Sequence, residues 1–211
     1  MKNLTFSTLL ALVLTASIGS LQAAPTLITA PKIITVPGSY VLANDIAGTS
    51  GIAVIEIQAS DVTLNLNGHT ITTQGSGITI DEFLGNNSGN ATLVNAHVSN
   101  GQIVAGAQGV LIYGSSCLVN GLTITVGESA TPIVIEHGNL NRVHGCVLSA
   151  ATGQTARAAF SLFLTSHNTI QNNTLTGIYV DTIQEDDQAG TSATVVGDNT
   201  FSGNQFASPT Q

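Results

Sequence analysis

An all-β solenoid of about seven short coils is the fold class this sequence predicts, and three observations carry it. Short runs such as Ile55-Glu56-Ile57 and Val62-Thr63-Leu64-Asn65-Leu66 alternate apolar and polar residues at the period of two that strands require. Between such runs stand Gly, Asn and Ser, as in Asn67-Gly68 and Gly75-Ser76-Gly77, which supply turns and leave no room for a helix. The unit then recurs. An apolar residue followed five positions later by another, across Asn, Gly, Asp or His, occurs at Val41, Leu66, Val98, Val119, Val143, Ile170 and Val196, at intervals of 25, 32, 21, 24, 27 and 26 residues. Irregular spacing in the twenties, with insertions confined to turns, marks stacked units that bury one continuous core.

Taken in order, residues 1–24 read as a signal peptide: Lys2 supplies a positive start, Leu9 to Leu14 an apolar stretch, and Leu21-Gln22-Ala23-Ala24 a small-residue cleavage site. The stretch is too short and too interrupted by Ser and Thr for a membrane anchor. The chain is therefore expected to be secreted, periplasmic or at the cell surface, without a membrane span after cleavage. Residues 25–207 form one domain, with Ala24 to Lys32 as its lead-in and N-terminal cover, and 208–211 a disordered tail. Three loops are expected at Asp81 to Ala91, Ser149 to Ala158 and Thr182 to Ser192.

Local segments sharpen the architecture. CLVNGLTI, RVHGCVL, NTIQNNTL and TVVGDNTF resemble coils of the right-handed parallel β-helix, or pectin-lyase-like, superfamily, and PGSYVLANDI followed by SDVTLNLNGHTI resembles the first coils of secreted members. The resemblance covers Ile34 to Phe206 and implies a right-handed parallel β-helix. It implies no single activity, because that architecture holds lyases, hydrolases, epimerases and inert shafts. The superfamily's catalytic motif has no counterpart here, so no catalytic residue carries over.

Composition narrows the partners. Removing the leader leaves Lys32, Arg142 and Arg157 against twelve Asp and Glu, a net charge of 3 − 12 = −9. Neutralising phosphates requires clustered Lys or Arg, so nucleic acid is excluded as a partner. An acidic polysaccharide would be repelled unless a cation intervened. A polysaccharide or protein partner and oligomerisation are the associations left. Cys117 and Cys146 are expected to be buried, unbridged thiols that pack in the core.

The candidate surface is one strand of each coil, with the pairs Ile55-Ile57, Ile78-Ile80, Val110-Ile112, Ile133-Ile135, Leu162-Leu164 and Ile178-Val180 inward. The outward column is then Glu56, Thr79, Leu111, Val134, Phe163 and Tyr179. Its apolar end, Leu111, Val134, Phe163 and Tyr179, is the candidate binding strip. A surface strand ordinarily turns polar residues outward, so this strip either lies under a loop or contacts a sugar or a protomer. The next column is Gln58, Asp81, Tyr113, Glu136, Thr165 and Asp181. Asp81, Glu136 and Asp181 fall on alternate rungs about 10 Å apart, near the upper separation for the two carboxyls of an inverting glycosidase. These three, with His137 beside them, are the catalytic candidates, and ordinary turn chemistry is the competing reading. Elimination from a uronate would need a base and cationic groups, and the column holds no Arg or Lys.

No cofactor is expected. Asp181, Glu185, Asp186 and Asp187 gather hard oxygen ligands that suit calcium, but their spacing matches no calcium loop and a solvated acidic loop is the preferred reading. The scattered His69, His97 and His144 argue against a shared zinc site. The sequence thus supports a non-catalytic glycan- or protein-binding scaffold, with a polysaccharide-active enzyme (hydrolase before lyase) and a structural surface protein as alternatives.

Overall fold

The computed structural model describes residues 23–49, 53–81, 93–186 and 198–207; of residues 178, 180–186 and 207 it describes the backbone alone. The leader, the tail, Val196 and Asp187 lie outside them. The described chain is all strand: twenty strands and no helix, so no helix there is long and apolar enough to cross a membrane. All the pairings are parallel, and they form a thirteen-stranded and a seven-stranded sheet, an arrangement compatible with a solenoid.

Parallel strands need crossover connections, and here the connections between the strands of each sheet pass through strands of the other. The thirteen-stranded sheet consists of two ladders that fuse where the long strands His97–Ala105 and Leu118–Val126 run through both. Elsewhere a short turn separates them, as at Gly145-Cys146 between Arg142–His144 and Val147–Ala150. The seven-stranded sheet stacks Lys32–Ile34, Ile55–Ile57, Ile78–Ile80, Gln108–Ile112, Thr131–Glu136, Thr155–Phe163 and Ile178–Asp186.

Inward columns form the core. Tyr40, Leu64, Val98, Val119, Val143 and Ile170 align in register and continue to Phe201. Ile46, Ile71, Ile103, Ile124, Leu148 and Leu175 form the second column, ending on Phe206. Val98, Val119, Val143 and Ile170 are fully buried, and each such side chain contributes about 1.5–3 kcal/mol relative to an exposed one. Two ends of the expected register shift. The first column begins on Tyr40 and Leu64, rather than Val41 and Leu66, because Val41 and Asn65 are the outward partners. In the last unit Phe201 takes the place expected of Val196, and Phe206 that of Phe201. The lead-in also differs: Thr26–Ile28 already pairs with Gly38–Leu42, so it is a rung of the sheet.

The turns carry a second device. Cys117, Asn141, Asn168 and Asn199 each precede the first strand of their unit and stack. The Cys117 N–H donates to Asn141 Oδ1 (2.8 Å), the Asn141 N–H to Asn168 Oδ1 (2.8 Å), and the Asn168 N–H to Asn199 Oδ1 (2.9 Å). A shorter ladder runs from the Cys146 N–H to Asn173 Oδ1 (2.9 Å) and from the Asn173 N–H to Asn204 Oδ1 (3.0 Å). Asn141, Asn168 and Asn173 are fully buried, and their amide N–H groups donate to the carbonyls of Gly114, Gly138 and Val143. These side chains satisfy turn backbone that no strand partner reaches. Cys117 and Cys146, both free and buried, sit at the ladder heads.

Candidate functional site

The seven-stranded sheet decides the candidate site, and its last strands do not follow the expected register. In Thr155–Phe163 the inward residues are Ala156, Ala158, Phe160 and Leu162, all buried. Phe160 lies beside Ile133 and Leu162 beside Ile135, so Ser161, not Phe163, neighbours Val134. The pair Leu162-Leu164 fails because Leu164 is a turn residue with φ of 50°. The strand starts at Thr155, inside the stretch expected as a loop, so Arg157 is a strand residue and exposed.

The next strand, Ile178–Asp186, moves further. Tyr179 pairs with Ala156, on the inward column, and packs half-buried against the core. Its hydroxyl is buried without a partner among the described residues, and burial raises its pKa. Tyr179 therefore leaves the candidate strip, and so does Phe163. Leu111 and Val134 remain neighbours, yet Val134 is 6% exposed, so this pair is no open contact surface.

What replaces the strip is the column one position later. Ile57, Ile80, Ile112, Ile135, Leu162 and Glu185 are in register, so the residues that follow them, Gln58, Asp81, Tyr113, Glu136, Phe163 and Asp186, form the next column. Asp81, Tyr113 and Glu136 stand where expected. Thr165 does not: it is buried in the following turn, its hydroxyl without a partner among the described residues. Asp181 does not either, since it pairs with Ala158 while Asp186 lies opposite Phe163. The column thus alternates acid and aromatic residue: Asp81, Tyr113, Glu136, Phe163, Asp186.

Tyr113, Glu136, His137 and Phe163 meet. The phenol pKa of Tyr113 is raised, first by burial and then by the neighbouring Glu136 and the charge of Asp81. His137 follows Glu136 in the left-handed region, with φ of 55°, and its N–H donates to Phe163 O at 3.0 Å. That corner turns the imidazole back along the column. It lies nearly parallel to the Tyr113 ring, with centroids 6.4 Å apart and planes 14° apart, and meets the Phe163 ring edge-on at 5.5 Å. Three rings on successive rungs, with Glu136 and Asp81 close to the first of them, make a half-buried patch at the edge of the sheet.

Of the cation candidates, Asp181, Glu185 and Asp186 belong to a strand rather than a loop, and pair in register with Ala158, Leu162 and Phe163. Among the histidines, His69 bonds Asp45 (3.2 Å), His97 bonds Asn120 (2.6 Å) and His167 lies 3.4 Å from Asp198. The His137 stack had a sequence signal. Four residues separate Glu136 from Asn141 but three separate Tyr113 from Cys117, and His137 is the extra one.

No family model matches the chain, nor does any curated protein or solved structure match it.

Proposed function

We propose that this chain is an exported right-handed parallel β-helix that acts as a non-catalytic glycan-binding scaffold, with the acid–aromatic column as its binding face. The observation that supports this reading is the stack of Tyr113, His137 and Phe163 beside Glu136. Sugars present apolar ring faces rimmed by hydroxyls. Aromatic rings cover the former, and carboxylates accept hydrogen bonds from the latter. The strands set the rings and acids at about 4.8 Å per rung, so an extended chain of sugars lying across the strands meets them in alternation.

Hydrolysis fits this geometry less well. Asp81 and Glu136 stand two rungs apart, but Tyr113 occupies the rung between them. An inverting glycosidase keeps that space for its water. Elimination fits worse. Arg142 is on the other sheet, and Arg157 is six residues from Phe163 along its strand, roughly 20 Å away.

A glycan array and a panel of polysaccharide-degradation assays test the proposal together. Binding without cleavage is expected, with Tyr113→Ala and Phe163→Ala each weakening it by about 1 kcal/mol or more. A wild-type protein that cleaves a polysaccharide, paired with a folded but inactive Glu136→Gln, would replace the scaffold with an enzyme. Failure to bind any glycan would leave a structural surface protein.

A further inference from the structure

The two sheets divide the charged residues unequally. The strands of the seven-stranded sheet carry Lys32, Arg157, Glu56, Glu136, Asp181, Glu185 and Asp186. The thirteen strands of the other sheet contain no Asp, Glu or Lys; their ionisable side chains besides Tyr40 are His97, Arg142 and His144. In a chain with twelve carboxylates, none of those among the described residues lies within a strand of this sheet. The described carboxylates nearest in sequence to its strands, Asp45, Asp61, Glu128 and Asp198, lie at corners between strands.

The three basic residues are grouped. Arg142 and His144 flank the buried Val143 and point outward from the same strand. His97 is two rungs away, in register with Leu118 and then Arg142. Its Nε2 bonds Asn120 Oδ1 at 2.6 Å, and Asn120 is the register neighbour of His144, which in turn neighbours Gln171. With its carbonyl oxygen engaged by His97, Asn120 has its amide N–H donors left over, and Gln171 stands on the other side of His144 in register. Arg142 is exposed and forms no ion pair among the described residues.

We propose that this face binds the carboxylate or sulfate groups of an acidic glycan, with Arg142 as the anchor and Asn120, His144 and Gln171 as further donors. An exposed guanidinium pairs with planar oxyanions through a fork of N–H groups. Donors on successive parallel strands repeat at about 4.8 Å, which suits a polymer with an anionic group on every unit. The described carboxylates that repel such a polymer belong to strands of the other sheet or to turns, none of them next to Arg142 in register. This face is separate from the acid–aromatic column, so each can fail without the other.

The test is direct binding of dextran sulfate, polygalacturonate and neutral dextran to the full protein at low and physiological salt. Either or both anionic polymers should bind and neutral dextran should not, with affinity falling as salt rises; the arm that binds tells sulfate from carboxylate. Arg142→Ala should weaken binding by about tenfold or more, the scale of a charged hydrogen bond, without lowering the melting temperature. Arg157→Ala, on the other sheet, is the control and should bind as wild type does. No binding to either anionic polymer, an unaffected Arg142→Ala, or an equal loss in Arg157→Ala would overturn the assignment.

Discussion

Asn168 Oδ1 accepts the backbone N–H of Asn141 at 2.8 Å, and Asn168 Nδ2 donates to Gly138 O at 3.3 Å, both within the buried turn. One side chain thus satisfies a donor and an acceptor of the preceding unit. Asn168→Ala should leave both unpaired, at roughly 1–3 kcal/mol for each buried group. Urea denaturation should show a loss of that order. Asn199→Ala, one unit nearer the C-terminal end, should cost less because its site is only part-buried.

The two thiols report on the same turns. Burial pushes Cys117 and Cys146 up to about 11, from an ordinary value near 9.0. The native state therefore holds these protons more tightly than the unfolded chain. Their contribution to stability is complete below about pH 9 and is lost as pH rises towards 11. Denaturation midpoints should fall across that window, less so in Cys117→Ser/Cys146→Ser. At pH 8 a thiol reagent should label neither residue until denaturant is added.

Gly109 shows how closely the units stack. A Cβ there would stand 2.5 Å from Pro132 O and collide with the Ile124 side chain. Gly109→Ala should therefore destabilise by more than Gly145→Ala. At Gly145 a Cβ meets nothing within 4 Å, and the only penalty is a φ of +65°, worth about 1 kcal/mol. Thermal melts of the two variants give the comparison directly.

Val143 tests the core register. It is fully buried between Val119 and Ile170, so Val143→Asp places an unpaired carboxylate inside, at a cost of several kcal/mol. A variant that melts like wild type would exclude the inward column described above. Val41→Asp is the paired control: Val41 is half-buried in the outward register, so a much smaller loss is expected.

The column Asp81, Tyr113, Glu136 was legible because the three preceding residues, Ile80, Ile112 and Ile135, end clear alternating runs. The stretch Ala156 to Leu164 was not. Ala158-Ala159-Phe160-Ser161-Leu162-Phe163-Leu164 fits either of two registers two residues apart, since Phe160-Leu162 and Leu162-Leu164 are equally apolar inward pairs. Alternation assigns Phe163 outward in both, but it does not say which rung neighbour it meets. A second ambiguity, of side, misplaced Tyr179: it is flanked by the apolar Ile178 and Val180, and only pairing with Ala156 sets its side. The Asn ladders were visible as Asn before Arg142, Thr169 and Thr200 but read as turn chemistry.

By itself the sequence determined strands, their shortness, their turns and the recurrence of a unit. Those follow from local properties: period-two alternation, residues that accept positive φ, and spacing. Only the tertiary structure decided which residues share a rung. That choice depends on how each inward side chain fits the unit above and below, and a shift of two positions keeps the local pattern while changing every neighbour. It moved Phe163 beside Glu136 and His137, sent Tyr179 to the core, and gathered His97, Asn120, Arg142 and His144 on one face.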